Sequence, residues 1–507
     1  MNPTEVELKL LLPGADAETI EGTLAGLPAL AGRAPRRQWL WNRYYDTASQ
    51  DLRRQRSALR LRCVSAQAWP ESDPAHPPAG AWIQTFKTAG VSQGGLSRRG
   101  EWESTVAGCA LDPAALAATP WRDFDSGGEL FAQLQPCFDT RCRRTTWLLQ
   151  QDDGSRIEVA LDIGEIAAAG RRLPMLELEL ELQSGMPEAL FGLAEQIAAS
   201  IAVLPCDASK AERGYALAQG VLHAPARARP VHLSANASPL AAAQQAMGGM
   251  LEQFTRNLAA LLHADDPELV HQARVAWRRW RSTERLFRPW LASQADRQAL
   301  RPLLDALGQL RDLDVACTET LPGWVDAYVD GDGQRRSDAE GALGRLQQAI
   351  EPKRREVRQL LSHASTGLGL LGLAAWLHDL CGEARQDPAR RRIERDWACE
   401  RSDRLLRRLR QAVEAGAAED ATELQQHRAR LLAKRARYGV ETLHDLLPGK
   451  KAGRWVREAS QVQASLGAER DLLRAIALLR EVGEVGSLPD FLRGVVAAKH
   501  HDRSRAG

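Results

Sequence analysis

The 507-residue sequence predicts an α+β protein in which a strand-rich first half precedes an all-helical second half. Charged and apolar residues alternate over many short segments before about residue 222, and helical periodicity dominates after Pro239. Charge divides the chain at the same place: residues 1–222 carry 22 Lys and Arg against 28 Asp and Glu, whereas residues 223–507 carry 45 against 37. An acidic half and a basic half indicate two domains with different roles.

Several classes of protein are disfavoured by the composition. The longest apolar candidate, near residues 368–377, is short and interrupted by glycines, so no membrane span is expected. The first residues lack the basic start and apolar stretch of an export signal, which predicts a cytoplasmic location. The eight cysteines are scattered without a CxxC pair or zinc spacing, so we expect reduced thiols and neither disulfides nor zinc.

The first predicted strand alternates charged and apolar side chains. Glu5, Glu7 and Lys9 share one face, whereas Val6 and Leu8 take the other. A short amphipathic helix is predicted next, over residues 16–27. A strand face of mixed charge suits a metal and an anion, although a solvated sheet face produces the same pattern.

The alternation returns on later predicted strands, at Arg60 and Arg62, Lys87, Arg99 with Glu101 and Glu103, Glu158 and Asp162, and Glu177, Glu179 and Glu181. Three glutamates on one strand face repel one another unless cations lie between them. In a closed antiparallel barrel, the charged faces would form a lumen that accepts a polyanion bridged to carboxylates by Mg²⁺. Periodicity alone leaves open the alternative of an open sheet facing water.

These segments, taken in their order along the chain to about residue 220, resemble the CYTH family of triphosphate tunnel enzymes. The motifs are Glu5-x-Glu7-x-Lys9, Tyr45-Asp46-Thr47, Leu59-Arg60-Leu61-Arg62, Gln84-Thr85-Phe86-Lys87, Arg99-x-Glu101-x-Glu103, Arg144-Thr145-Thr146-Trp147, the segment 157–164, Glu177–Leu182 and Ser209-Lys210-x-x-Arg213-Gly214-Tyr215. The resemblance implies an N-terminal eight-stranded antiparallel β-barrel with flanking helices, over residues 1–222. Its tunnel would hydrolyse a triphosphate with Mg²⁺ or Mn²⁺.

The resemblance also implies roles for individual residues. The expected metal ligands are Glu5, Glu7, Glu179 and Glu181, with Glu177 and Asp162 as weaker candidates. The expected phosphate-binding cations are Lys9, Arg60, Arg62, Lys87, Arg99, Arg144 and Lys210, with Arg143 as an alternative to Arg144. The expected catalytic residues are Glu5, Glu7 and Lys87, with Glu5 or Glu7 orienting the attacking water. No Ser/His/Asp or Cys/His set accompanies the motifs, so catalysis would depend on positioning and charge neutralisation.

The second half contains an internal repeat, which follows a proline-containing linker over residues 223–237. The segment His271–Arg281 has a counterpart 156 residues later at His427–Arg437, and Leu307-Gly308-x-x-Arg311-Asp312 returns 159 residues later at Leu466-Gly467-x-x-Arg470-Asp471. Two motifs in the same order at nearly the same offset indicate a duplicated helical unit.

Each repeat places four basic residues on one helix face. The two stripes are His271, Arg274, Arg278 and Arg281, and His427, Arg430, Lys434 and Arg437. Like charges along one face are unfavourable unless an anion or an acidic partner neutralises them, so the stripes predict a polyanion site. The alternatives are solvated helix faces and ion pairs with Asp312, Asp314 or Asp471.

Residues 238–500 resemble the CHAD family, helical domains associated with inorganic polyphosphate. The resemblance depends on VHQARVAWRRWR, LGQLRDLDV, HRARLLAKRARY and LGAERDL, and it implies two related four-helix units around a basic groove. Trp277 and Trp280 within the first motif, and Leu472-Leu473 in place of Leu313-Asp314, depart from the family pattern. Nucleic acid is a less favoured partner, because no helix-turn-helix, RRM or zinc-finger signature is present.

Together these features predict a metal-dependent inorganic triphosphatase that converts tripolyphosphate to pyrophosphate and phosphate. Its helical domain would bind long-chain polyphosphate. Two alternatives remain at this stage: thiamine triphosphatase or adenylate cyclase chemistry in the same tunnel, and a non-catalytic polyphosphate-binding adaptor.

Overall fold

The computed structural model describes residues 4–68, 80–234, 237–386, 395–417, 422–484 and 486–506. The chain forms two compact units. The first comprises residues 1–224 with the short segments 297–300 and 361–375, and the second comprises residues 225–296, 301–360 and 376–507.

The first unit is built on an antiparallel β-sheet. Its strands in the described residues are β1 (Thr4–Leu11), β2 (Arg36–Asp46), β3 (Ala58–Ser65), β4 (Ala81–Lys87), β5 (Val91–Gln93), β6 (Leu96–Val106), β7 (Gln135–Gln150), β8 (Arg156–Ala168), β9 (Arg171–Ser184) and β10 (Leu204–Pro205). Eight of them follow the order β1-β9-β8-β7-β2-β3-β4-β6, and pairing of β1 with β6 closes the sheet. The predicted eight-stranded barrel is therefore confirmed, and the open sheet is excluded.

Alternation decides which side chains face outward. Leu59 on β3 and Phe86 on β4 are buried on the outer side, in a cluster with Leu116 and Trp121 from the segments that cover this part of the barrel. The opposite parity of the same strands carries the charged side chains inward. Burying the apolar face outside leaves a polar lumen, as the sequence predicts.

Six helices flank the strands in this unit: α1 (Ile20–Ala25), α2 (Asp51–Arg54), α3 (Trp121–Phe124), α4 (Glu129–Ala132), α5 (Glu188–Ala198) and α6 (Lys210–Gln219), counted over the described residues. The helix predicted over residues 16–27 is shorter, because only residues 20–25 are helical. A capping box between Ser209 and Glu212 starts α6. Its Tyr215 then packs on Phe138 of β7, and Lys210 at the start of the same helix faces the lumen.

The described secondary structure of the second unit consists of helices. Its helices are α7 (Pro239–Leu261), α8 (Pro267–Phe287), α9 (Arg301–Val315), α10 (Pro322–Val329), α11 (Gly333–Leu361), α12 (Ala364–Gln386, whose first part belongs to the first unit), α13 (Arg395–Ala417), α14 (Glu423–Thr442), α15 (Gly449–Glu481) and α16 (Ser487–Ala506). The two basic motifs lie on α8 and α14, and the two LGxxRD motifs lie on α9 and α15. The duplicated motifs thus occupy corresponding helices.

Among the described helices, no single one is long and apolar enough to cross a membrane. One bent pair, Gly333–Leu361 with Ala364–Leu380, meets the same criteria of length and composition, with a bend of 62°.

Candidate active site

The inward strand faces surround a cavity of about 470 Å³ inside the barrel. Seven cationic side chains line it, and they are Lys9, Arg60, Arg62, Lys87, Arg99, Arg144 and Lys210. Seven carboxylates also line it, namely Glu5, Glu7, Glu101, Glu103, Glu158, Glu179 and Glu181. The structure therefore brings together every cation and all four principal metal ligands expected from the sequence. Glu101, Glu103 and Glu158 also line the cavity, although no role was expected for them. Their alternation along the strands was the sequence feature that could have indicated this.

The structure distinguishes between the two candidate arginines of β7. Arg144 faces the lumen, where it donates two hydrogen bonds of 2.7 Å to Asp162 and one of 2.6 Å to Glu179. Arg143 faces the other side of the strand and pairs with Glu21 of α1 at 2.5 Å. Strand parity therefore places Arg144, and not Arg143, in the cavity.

A dense group of buried ion pairs surrounds Lys210. Oxygens of Asp162, Glu177 and Glu179 lie within 4.8 Å of one another, which is close enough to share a metal ion. Lys210 already contacts all three carboxylates, and Arg213 contacts Glu177. The local cations thus neutralise this group, which argues against a metal there.

Their protonation behaviour agrees with this assignment. Burial alone would raise the pKa of Asp162, but attraction to Arg144 and Lys210 outweighs burial and holds that pKa well below its usual range. The same competition lowers the pKa of Glu179, whose attraction to Lys210, Arg144 and Lys9 prevails over burial. Both carboxylates therefore stay ionised and paired.

A second group of carboxylates is compensated only at Glu7, which pairs with Lys9 at 3.3 Å and with Arg99 at 2.8 Å. Glu181 on β9 is directly opposite Glu7 of β1 and Glu158 of β8, so three acidic side chains stand side by side on adjacent strands. Neither Glu158 nor Glu181 forms an ion pair within the described residues. Burial, followed by repulsion from Glu5, Glu101, Glu158 and Glu7, raises the pKa of Glu181 to about 7.

This acidic wall fits a hard divalent cation. Carboxylate oxygens are the ligands that Mg²⁺ prefers, and a positive ion at this place would relieve the repulsion that now raises the pKa of Glu181. Glu158 and Glu181 are available to such an ion, and Glu7 lies beside them. Glu179 is less suitable, because its two oxygens already accept from Lys210 and Arg144.

The remaining lumen cations are held by carboxylates, with one exception. Lys87 lies 3.0 Å from Glu5 and 2.9 Å from Glu101, and Arg99 contacts Glu5 and Glu7, each at 2.8 Å. Arg62 is the exception, because its nearest carboxylate oxygen, on Glu103, is 4.0 Å away. Burial, together with repulsion from Arg60 and Arg144, lowers the pKa of Arg62. Arg62 is therefore the cation best placed to gain from an incoming anion.

The helical unit contains a separate basic cluster. It consists of Arg274 and Arg278 on α8, Arg430 and Lys434 on α14, and Arg470 on α15, and below we call it the basic cluster. The buried Nε atoms of Arg274, Arg278 and Arg430 have no hydrogen-bond partner. Burial and repulsion from the neighbouring arginines lower the pKa of Lys434 to about 7, and burial with repulsion from other arginines lowers those of Arg274 and Arg430 to about 10.

Other members of the predicted stripes contribute less to the basic cluster. Arg437 pairs with Glu441 at 2.8 Å, and Arg281 is exposed. His271 and His427 begin the stripes, and burial followed by repulsion from nearby arginines lowers the pKa of each. Arg470 belongs to the second LGxxRD motif, and only the folded chain brings it close to the two basic stripes.

The proposed acidic partners of the stripes do not neutralise the basic cluster. Asp312 pairs with Arg474 at 3.0 Å. Asp314 is buried with an unpaired Oδ2 atom, and burial raises its pKa to about 6. Asp471 has a raised pKa because of burial, although Arg470 and Arg430 partly oppose the shift. These acids therefore do not offset the burial and mutual repulsion that lower the pKa values of Arg274, Arg430 and Lys434.

A closed barrel with paired charges inside it, followed by a helical unit with a basic cluster, defines a tunnel-barrel protein with a helical companion domain. Residues 3–215 match the CYTH domain family, and residues 245–480 match the CHAD domain family. The chain therefore carries a CYTH domain followed by a CHAD domain.

Relatives of both parts are known. The inorganic triphosphatase of Haemophilus influenzae is 31% identical over 218 residues, which cover 42% of this chain and 54% of that protein. The chain thus matches about half the length of that relative. The structure of the CHAD domain from the plant Ricinus communis is 28% identical, with a TM-score of 0.47, and the match covers 56% of this chain and 96% of that one. A putative adenylyl cyclase from Hippeastrum, described as having a dominant triphosphatase activity, is 20% identical with a TM-score of 0.31, over 42% of this chain and 95% of that one.

Proposed function

We propose that the barrel hydrolyses inorganic tripolyphosphate to pyrophosphate and phosphate, with Mg²⁺ or Mn²⁺ as the cofactor. The observation that carries this proposal is the charge balance of the lumen, where seven cations face seven carboxylates. A neutral lumen does not attract a polyanion by itself, so the substrate needs an additional positive charge. The unpaired Glu158 and Glu181 provide the place for that charge, and Arg62 faces the anion.

Different residues of the lumen would bind the metal, bind the phosphate oxygens and orient the attacking water. Glu7, Glu158 and Glu181 would hold the metal, with Glu5 beside them. A bound divalent ion would withdraw charge from the phosphate oxygens and make water more acidic. Phosphate oxygens would exchange for the carboxylates that now contact the lumen cations, with Arg62 as the first anchor. Glu5 or Glu7 would orient the attacking water, and Lys87 would stabilise the charge that develops on phosphate.

Direct attack by water suits this lining. Neither Cys nor His is among the described residues that line the cavity. Ser209 is one of them, but its hydroxyl oxygen accepts a hydrogen bond from the backbone of Glu212 as the cap of α6. Thr4 and Tyr44 also line the cavity, but no hydroxyl of the described lining has a His beside it as general base. We therefore favour direct attack by water, with positioning and charge neutralisation as the source of rate enhancement.

The choice of tripolyphosphate among triphosphates has support from the Haemophilus relative, which is named an inorganic triphosphatase and matches the barrel half. The test compares phosphate release from tripolyphosphate, ATP and thiamine triphosphate, each with Mg²⁺, Mn²⁺ or no divalent ion. We expect tripolyphosphate to be the preferred substrate and chelation to abolish turnover. Faster hydrolysis of ATP or thiamine triphosphate would assign that compound as the substrate instead. If none of the three triphosphates is hydrolysed, a non-catalytic adaptor is favoured.

We further propose that the basic cluster binds inorganic polyphosphate. Its support is the set of mutually repelling cations, in which the buried Nε atoms of Arg274, Arg278 and Arg430 lack hydrogen-bond partners. Phosphate oxygens would satisfy these donors and relieve the repulsion. Replacing Arg274, Arg278, Arg430 and Lys434 by Ala should remove polyphosphate binding and leave tripolyphosphate hydrolysis unchanged. Unchanged affinity in that variant would contradict the proposal.

A further inference from the structure

Asn42 lies on the inward face of β2, directly opposite Arg62 of β3, and contacts this least compensated cation of the cavity. Its side-chain Oδ1 accepts a hydrogen bond of 2.7 Å from Nε of Arg62. Its Nδ2 donates one of 2.8 Å to Oγ1 of Thr140 on β7. Asn42 is only 2% exposed, and Thr140 is fully buried. A chain of side-chain hydrogen bonds thus runs from β7 through β2 to the arginine on β3.

The orientation of the amide follows from this chain. A guanidinium group only donates hydrogen bonds, so the amide must present its oxygen to Arg62. Its NH₂ group then faces Thr140, whose hydroxyl can accept. Asn42 does not line the cavity, and its side-chain hydrogen bonds go to Arg62 and Thr140, so we expect it to act on a substrate through Arg62.

The other lumen cations are oriented in a different way. Arg60 donates to Glu101 at 3.2 Å, and Arg144 and Lys210 each contact buried carboxylates. A carboxylate fixes the direction of a cation but also cancels its charge. A neutral amide fixes the direction and leaves the charge available. Arg62 is the one lumen cation held in this second way within the described residues.

We propose that Asn42 is a positioning residue that aims Arg62 at a polyphosphate substrate without cancelling its charge, since the nearest carboxylate oxygen, on Glu103, is 4.0 Å away. This inference rests on the proposed function of the barrel. It assigns to Arg62 the strongest single interaction with the incoming anion, and to the Asn42–Thr140 pair the task of keeping its guanidinium plane fixed.

The test combines turnover with binding. Tripolyphosphate hydrolysis is measured with Mg²⁺, and tripolyphosphate affinity is measured by calorimetry with Ca²⁺ in its place. We expect Asn42→Ala to raise KM and lower affinity by roughly 10-fold, the size expected for a hydrogen bond to a charged group, with a smaller effect on kcat. Asn42→Asp should lower the affinity for tripolyphosphate at least as much, because its carboxylate would keep the orientation of Arg62 but cancel its charge.

A double-mutant cycle separates positioning from general damage to the barrel. In an Arg62→Ala background, Asn42→Ala should cause no further loss, because its only route to the substrate has been removed. The control is Gln84→Ala, since Gln84 is equally buried but bonds the backbone of Asp112 outside the lumen. It should lower the melting temperature without changing KM. If Asn42→Ala does not fold, Thr140→Val tests the same chain, with an expected loss of a few-fold that also disappears in the Arg62→Ala background.

The outcomes distinguish the two proposals. A wild-type protein that binds tripolyphosphate but does not hydrolyse it would refute the hydrolase, while the binding cycle would still decide the role of Asn42. Additive losses in the cycle, or an unchanged KM and affinity in Asn42→Ala, would overturn the positioning role. A wild-type protein that neither binds nor hydrolyses tripolyphosphate would overturn both.

Discussion

Polyphosphate affinity should depend on pH through Lys434. This ammonium group lies on α14 among Arg430 of its own helix, Arg274 and Arg278 of α8, and Arg470 of α15. Burial and repulsion from these arginines lower its pKa from 10.5 to about 7. The free site therefore holds a proton on Lys434 only about half of the time at neutral pH.

The sign and size of the effect follow from linkage. A polyanion binds the protonated form more tightly, so the complex holds more protons than the free site and affinity falls as pH rises above 7. If binding restores the pKa of Lys434 to its ordinary value of 10.5, affinity falls by up to about 50-fold between pH 7 and 9. His271 and His427, whose pKa values are lowered, are neutral over this range and contribute little.

The assay is a titration with polyphosphate at constant ionic strength from pH 7 to 9, because salt alone changes the affinity of a charged site. Lys434→Arg should bind at least as tightly as the wild type and lose most of the pH dependence, since an arginine stays charged. Lys450→Arg, on an exposed part of α15, is the matched control and should retain the wild-type slope. A flat wild-type profile, or an unchanged slope in Lys434→Arg, would refute this reasoning.

Three further outcomes are expected. Arg144→Ala should lower tripolyphosphate turnover about 100-fold, whereas Arg143→Ala, on the outer face, should leave the rate nearly unchanged; similar rates for the two variants would contradict the lumen assignment. Glu181→Gln should raise the Mg²⁺ concentration needed for half-maximal activity at least about 10-fold, as measured by metal titration, and a normal requirement would exclude Glu181 as a ligand. Gly308→Ala should weaken polyphosphate binding roughly 5-fold, because a Cβ atom there would lie 2.8 Å from Nη1 of Arg274. A Cβ atom at the repeat counterpart Gly467 would have nothing within 4 Å, so an equal loss of binding in Gly467→Ala would count against this explanation.

Much of the barrel site could be predicted from local pattern. Alternation has a period of two, so it decides that Glu177, Glu179 and Glu181 share one face whatever the rest of the chain does. The basic stripes of the helical half depend in the same way on helical spacing. The motif order then led to the CYTH and CHAD families, which the comparisons confirm.

The partners of these residues could not be predicted, because they depend on long-range pairing. Closure of the barrel places Arg99 against Glu5, 94 positions away, and the pairing of β7 with β8 places Arg144 against Asp162. Alternation alone could not choose between Arg143 and Arg144, since each parity is consistent with a strand.

The sequence by itself determined which residue types share a strand or helix face, and hence a charged lumen and two basic stripes. Only the tertiary structure decided which charges cancel. It paired Glu179 with Lys210, left Glu181 unpaired, held Arg62 by a neutral amide and added Arg470 to the basic cluster. The physical reason is that a side chain's face is a local property of the backbone, whereas electrostatic compensation depends on distances between segments that meet only when the chain folds.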